Sequence, residues 1–398
     1  MKSSVIVLNR DRLQELRCCV AALGQQSKRD FELVIVTNQP DVVRATIPDT
    51  ARAKLVAFSD ANVSAARNAG IRAAAGDVIA FCDDDAVPEP CWVQRLTAAF
   101  DKPTTGGVGG LVRGRNGVSV QWGPQEVDRC GNDWPLHGAP SIDRVVKTVG
   151  TNCAFRRSAL QDVGGFDQAY QYYLDETDLD WRLKSAGWDI GFVPDAEVHH
   201  STAAGIFRTS ERVPTNLFEI GASKSYFCAQ HCPQDLIRDE IDGFVRAQRA
   251  RLIRAMQLGL MEPRKVGELL DGLRAGLAAG VQRSGALADI ADADDIAFVP
   301  FPQGPAPSAC FLAYGLAARK SGRRDARERA DRGEAVTLFE HSPTALMLRV
   351  WYDPLGFWIH RGGQFGRSDR DAVPIRIRTR RQWIDAEKNR IVGQRKFS

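Results

Sequence analysis

Apolar residues in the first hundred positions follow two alternating rhythms. Short apolar runs at residues 5–8, 33–36, 55–58 and 78–82 have the length and branched-residue content of buried strands. Between them, Leu13, Leu16, Val20 and Leu23 stand at helical spacing, and an alanine-rich stretch over about 62–75 stops at Gly76. Such βαβ alternation predicts a mostly parallel sheet covered by helices, with ligands bound beyond the carboxyl ends of its strands. Asn9, Asn38 and the run Asp83-Asp84-Asp85 all fall at such ends, on one predicted rim.

Residues 101–150 are rich in Gly and Pro and read as loops with short strands, a plausible substrate-lining region. Order returns over 150–157. The acidic run Asp175-Glu176-Thr177-Asp178 then opens a helix, where carboxylates complement the helix dipole. A strand at 190–193 leads through Pro194 to His199-His200. Beyond residue 210 the spacing predicts amphipathic helices over 236–261 and 266–277, separated near Pro263. Residues 285–307 read as a Pro- and Ala-rich linker and 319–332 as a charged segment; a hairpin is expected around Asp353-Pro354-Leu355-Gly356. The expected division is an α/β catalytic domain over 1–210, a helical appendage over 211–285, and a linker with a β-containing extension over 286–398.

The 53 Lys and Arg against 49 Asp and Glu give a formal charge of +4, too small to make nucleic acid the main partner. Nine cysteines, an odd number scattered along the chain, predict no disulfide framework and hence a reducing, cytoplasmic setting. Cys228, His231 and Cys232 lack the second half of a zinc site and read as a reduced structural cluster. No stretch approaches the roughly 18 apolar residues needed to span a bilayer, so any membrane contact is expected to be peripheral. The basic runs 319–332 and 376–381 are read first as solvated charge, with attraction to anionic headgroups as the alternative. Trp351, Tyr352, Phe357 and Trp358 are expected in a core rather than on a carbohydrate platform.

Three adjacent carboxylates at a strand end repel one another, and a divalent cation among them relieves the repulsion. Hard oxygen ligands on a compact turn suit Mg²⁺ or Mn²⁺, whose shells substrate phosphates commonly complete. The chemistry points to a nucleoside diphosphate.

Residues 5–10, Ala66-Arg67-Asn68-Ala69-Gly70, the segment 76–85, Gly164-Gly165-Phe166-Asp167 and 175–179 together resemble family-2 glycosyltransferases of the GT-A fold, over about residues 1–205. The resemblance implies inverting transfer of a sugar from a nucleotide-diphosphate donor to an acceptor hydroxyl, assisted by Mn²⁺ or Mg²⁺. It further implies a role in surface polysaccharide or glycolipid synthesis, at the inner face of a membrane. By the same resemblance Asp83 and Asp85 contact metal and ribose, with Asp84 beside them. Leu8, Asn9, Arg10 and Asn38 line the donor site, and Arg67 serves its pyrophosphate. Glu176 is the base, Asp175 orients the site or acceptor, and a late histidine reaches the metal. His199 and His200 face opposite sides of a strand, so one of them is expected there, with His200 aligning better. Asn152 is placed in the donor or acceptor pocket. Two features depart from the family: Leu8-Asn9-Arg10 replaces a Pro-Thr-Tyr-Asn-like segment, and Thr37-Asn38 stands where an aspartate commonly contacts the base. Competing readings are a noncatalytic scaffold and a nucleotidyltransferase, which also uses paired carboxylates and metal.

Overall fold

The computed structural model describes residues 1–201, 203–209, 211–293, 295–302 and 307–395. Strand β1 (Ser3–Asn9) is apolar on both faces because neighbours cover both, as a central parallel strand requires. It pairs in parallel with β2 (Phe31–Thr37), which carries β3 (Lys54–Ala57) at the edge, and on its other side with β4 (Val78–Asp83). Helices α1 (Leu13–Gly24), α2 (Pro40–Thr46) and α3 (Val63–Ala73) make the connections. Asn62 caps α3 by accepting from the Ala65 N–H at 3.0 Å, one of the first-turn donors a helix cannot satisfy itself.

The chain continues through β5 (Ala86–Pro88), α4 (Trp92–Ala98), β6 (Thr105–Arg113) and β7 (Val120–Trp122). Three short strands, β8 (Gln125–Asp128), β9 (Asp133–Pro135) and β10 (Arg144–Val146), form a separate sheet. Then follow β11 (Asn152–Arg156), α5 (Arg157–Val163), α6 (Asp175–Ser185) and β12 (Asp189–His200). The main sheet has the order β3-β2-β1-β4-β11-β6-β12-β5, with β7 beside β6 and β11 antiparallel to both its neighbours. Only two residues separate β4 from β5, yet β5 pairs with β12 at the far edge, so the sheet curls back upon itself. That curl sets His200 opposite Ala86, next to Asp85.

Helices α7 (Phe218–His231), α8 (Ile237–Gln257) and α9 (Pro263–Gly280) pack through Leu217, Leu252, Leu269, Leu270 and Leu273. The extension is a four-stranded sheet: β13 (Ala309–Gly315), then α10 (Arg319–Ala330), β14 (Ala335–Ser342), β15 (Arg349–Asp353) and β16 (Phe357–Gly363), closed by α11 (Arg380–Arg395). The hairpin β15–β16 has its turn at 353–356, and Tyr352, Phe357 and Trp358 are core residues. The charged segment 319–332 is largely helix α10, the crossover between parallel β13 and β14.

Two expectations are corrected. Cys232 is not reduced: it forms a disulfide with Cys130, 102 positions away, tying the turn after β8 to the end of α7. The cysteine-based argument for a reducing compartment therefore fails. The passage 285–307 is also not a free linker where it is described, because the Phe301 N–H donates to the Phe31 carbonyl at 2.8 Å and the two rings lie 5.9 Å apart; Asp294 and residues 303–306 lie outside the described residues. Among the described residues no helix is long and apolar enough to cross a membrane.

Candidate active site

Each sequence segment that carries the family resemblance has a structural partner. Asn68 of α3 donates to the Phe166 carbonyl at 2.7 Å and accepts from the Phe166 N–H at 2.9 Å, which pins the Gly164-Gly165-Phe166 turn. Asp167 accepts from Tyr226 Oη and from the backbone of Ala169 and Ala286. A side chain at Gly70 would put its Cβ 2.7 Å from Ile6, so glycine lets α3 approach β1.

At the end of β4 the three aspartates part. Asp83 Oδ2 accepts from the Thr151 hydroxyl at 2.5 Å. Asp84 turns inward, accepting from Asn9 Nδ2 at 2.8 Å and pairing with Arg12 at 2.5 Å. Burial pushes its carboxyl up to about 8 against the pull of Arg12. Asp85 accepts from the Ala203 N–H at 2.7 Å and lies 3.5 Å from Arg12. Burial opposes its ionisation, but His200 and then Arg12 outweigh that and hold it near about 2.

Asp83, Asp85 and His200 each offer a ligand atom, all within 4.8 Å of one another. Asp85 Oδ1 and His200 Nε2 approach to 3.2 Å without the alignment of a hydrogen bond, and both buried atoms lack a hydrogen-bond partner. Orphaned ligand atoms of this kind, two carboxylates and an imidazole, fit a divalent cation. His200 is steadied from behind by the Gln121 amide at Nδ1 and by Trp122, stacked at 5.5 Å. If the Gln121 carbonyl accepts from Nδ1–H, Nε2 keeps its lone pair for the cation.

His199, grouped with the metal candidates from sequence, points the other way. Its Nε2 bonds Glu89 at 2.9 Å and its ring packs on Trp358 at 4.7 Å. Glu89 in turn takes a two-pronged bond from Arg395 of α11 (2.6 and 2.5 Å), whose guanidinium also lies 4.0 Å over Trp358 and donates to His360. Burial pushes His360 down to about 3, which keeps it neutral as the acceptor. Burial disfavours the charge on Glu89, but Arg395 overrides it and holds the carboxyl well below its ordinary range.

The second acidic group opens α6. Tyr173 (φ 78°) and Leu174 (φ 66°) both adopt the left-handed region, a costly conformation for non-glycine residues that turns the chain into the helix. Arg67 pairs with Asp175 and, at 2.6 Å, with Glu176, while Phe166 lies 5.0 Å below its guanidinium. Arg67 is thus buried against the two acids rather than open to a pyrophosphate. Burial raises Asp175 well above its usual range; Glu176 is lowered, because Arg67 outweighs the effect of burial. Further along α6, Asp178 pairs with His231 at 2.8 Å and Asp180 accepts from both the N–H and hydroxyl of Thr148.

A two-residue turn joins the two acidic groups. The Gly150 N–H donates to Glu176 Oε1 at 2.9 Å, and the next residue, Thr151, donates to Asp83. A Cβ at Gly150 would run into Arg67 and Glu176. Asn152, placed by sequence in a substrate pocket, is fully buried; it accepts from Trp92 and donates to the carbonyls of Leu111 and Ala196, bracing the sheet. Of the donor-side candidates, Asn9 bonds Thr37 and Asp84, Asn38 donates to Asp11 at 2.9 Å, and Arg10 reaches the Ser59 carbonyl. Leu8 is half-buried in the core on one face of the sheet. Arg12, Gln121, Gly150 and Thr151 were not singled out from sequence; Gln121 lay in the loop-rich region 101–150 and Gly150 and Thr151 in the ordered segment that follows it.

Burial raises Asp180 to about 8. Its unfolded value is near 4, so the native state binds the extra proton between those values and stability falls as pH rises from about 4 to 8. Asp180→Asn, whose amide oxygen takes the Thr148 N–H while its NH₂ donates to the Thr148 hydroxyl, should lose that slope. Melting curves across this range should show the variant gaining on the parent toward pH 8.

These features gather a candidate cation cluster and a second acidic group on one rim of an α/β frame. Residues 4–164 match glycosyl transferase family 2. The architecture is α/β with a curled, mostly parallel central sheet. The chain is 34% identical over 143 residues to a pre-mycofactocin glycosyltransferase of Mycobacterium tuberculosis, covering 34% of this chain and 29% of that protein. It is 30% identical over 178 residues to a glucosyl-dolichyl phosphate glucuronosyltransferase of Haloferax volcanii, covering 42% and 56%. The crystal structure of GalNAc-T7 with UDP, GalNAc and Mn²⁺ is similar at 17% identity, with a TM-score of 0.45, over 57% of this chain and 50% of that one. The chain spans less than a third of the length of the first of these relatives.

Proposed function

We propose that the protein is an inverting glycosyltransferase that moves a sugar from a nucleoside diphosphate to an acceptor hydroxyl on a glycan or glycolipid. The observation that carries this reading is the Gly150–Thr151 turn, which links the Glu176 carboxylate to the Asp83–Asp85–His200 cluster. The Haloferax relative is named for a dolichyl phosphate substrate, which favours a lipid-linked acceptor and action at the inner face of a membrane.

Asp83, Asp85 and His200 would hold Mn²⁺ or Mg²⁺, which when bound neutralises charge on a departing diphosphate. Glu176, kept ionised by Arg67, accepts the proton of the acceptor hydroxyl. The hydroxyl oxygen bonds the anomeric carbon from the side opposite the diphosphate. The carbon–oxygen pair leaves with the diphosphate, and the configuration inverts. Gly150 N–H and Arg67 hold the Glu176 carboxylate in place throughout.

Thermal shift with UDP, GDP and dTDP, each with and without Mn²⁺, tests the donor half, because a ligand that binds only the folded chain raises its melting point. At least one nucleotide should give a Mn²⁺-dependent rise that Asp85→Ala removes. No metal-dependent rise with any of them, or a rise unchanged in Asp85→Ala, overturns the assignment.

A further inference from the structure

After β16 the chain doubles back. Residues 375–378 lie extended along 364–366: Ile375 bridges Gly366, the Arg376 N–H donates to the Phe365 carbonyl at 2.9 Å, and Arg378 folds inward onto the carbonyls of Gln364 and Gly366. Alternation along an extended chain puts Ile375 and Ile377 on the opposite side from Arg378. They are 65% and 97% exposed, and Val373 close by is 57% exposed. Backbone bonds thus hold two isoleucines outward on an anchored strand.

The surround is cationic. Between positions 367 and 381 there are six arginines and two aspartates. Among the described residues the guanidinium groups of Arg370 and Arg376 make no ion pair or hydrogen bond. Beside this segment, Arg376, Arg378 and Arg390 share a cavity of about 430 Å³ with Asp369, Asp371 and Glu387. Apolar side chains held outward beside two unpaired arginines are poor for solubility alone, and they match what an anionic bilayer offers: hydrocarbon below, phosphate above.

We propose that the 373–381 segment, extended at 375–378 and running into the first turn of α11, is a membrane-docking edge, with Ile375 and Ile377 entering the acyl boundary of an anionic lipid surface and Arg370, Arg376, Arg380 and Arg381 meeting its phosphates. The proposal stands on these residues alone and does not depend on the transfer reaction.

Vesicle co-sedimentation of the full chain, without nucleotide or metal, tests it. The protein should pellet with phosphatidylglycerol-containing vesicles and not with pure phosphatidylcholine. Ile375→Ser/Ile377→Ser should weaken that binding by about tenfold; both side chains are exposed, and an unchanged melting point will verify the fold. Arg370→Gln/Arg376→Gln should weaken it and flatten its salt dependence. Failure to pellet with anionic vesicles overturns the proposal. So does binding that survives the isoleucine double variant, or binding to RNA that equals binding to vesicles, since either would mark the arginines as a general polyanion patch.

Discussion

Glu176→Gln is expected to lower sugar transfer about 10²- to 10⁴-fold, the range that general-base assistance supplies. The amide keeps an oxygen for the Gly150 N–H but cannot take a proton, and it loses the charge that faces Arg67. Donor binding should change little, because the Asp83–Asp85–His200 cluster stays intact. Single-turnover kinetics beside a nucleotide titration separate the two effects. A variant that keeps full turnover would move the base elsewhere, whereas a variant that loses nucleotide binding would mean that Glu176 holds the donor.

Arg395→Ala should be the most destabilising single change, at about 3–5 kcal/mol, the cost of leaving one member of a buried ion pair without the other. Glu89 is 2% exposed and would keep only His199 of its two side-chain partners. Arg395→Lys should recover part of the loss, since an ammonium cannot reproduce the two-pronged contact. Urea unfolding reads both variants. A loss under about 1 kcal/mol for Arg395→Ala would show that water replaces the guanidinium and the contact is weak.

What could be read from sequence was whatever rests on short-range pattern. The apolar runs of β1, β2 and β4, the helix opening at Asp175 and the β15–β16 hairpin follow from periodicity and turn residues within a few positions. The opposed faces of His199 and His200 follow from strand alternation alone. Contacts between distant segments left no local trace. Arg395 meets Glu89 across 306 positions and Cys130 meets Cys232 across 102. Asn152 looked like a pocket residue because nothing nearby in the chain reveals that Trp92, Leu111 and Ala196 surround it. Arg67 looked free for phosphate because the acids it meets lie over a hundred positions later.

One apolar cluster joins Cys18, Ala21 and Ala22 of α1 and Val87 of β5 to Phe339, Tyr352, Trp358 and Trp383 of the C-terminal sheet and helix. Expressing the first two hundred residues as an independent module would therefore strip the cover from the back of α1 and leave Glu89, next to the edge strand that pairs with His200, without Arg395. Any dissection of this protein has to carry its last helix along, and chimeras that exchange donor-binding halves would need to exchange the tail with them.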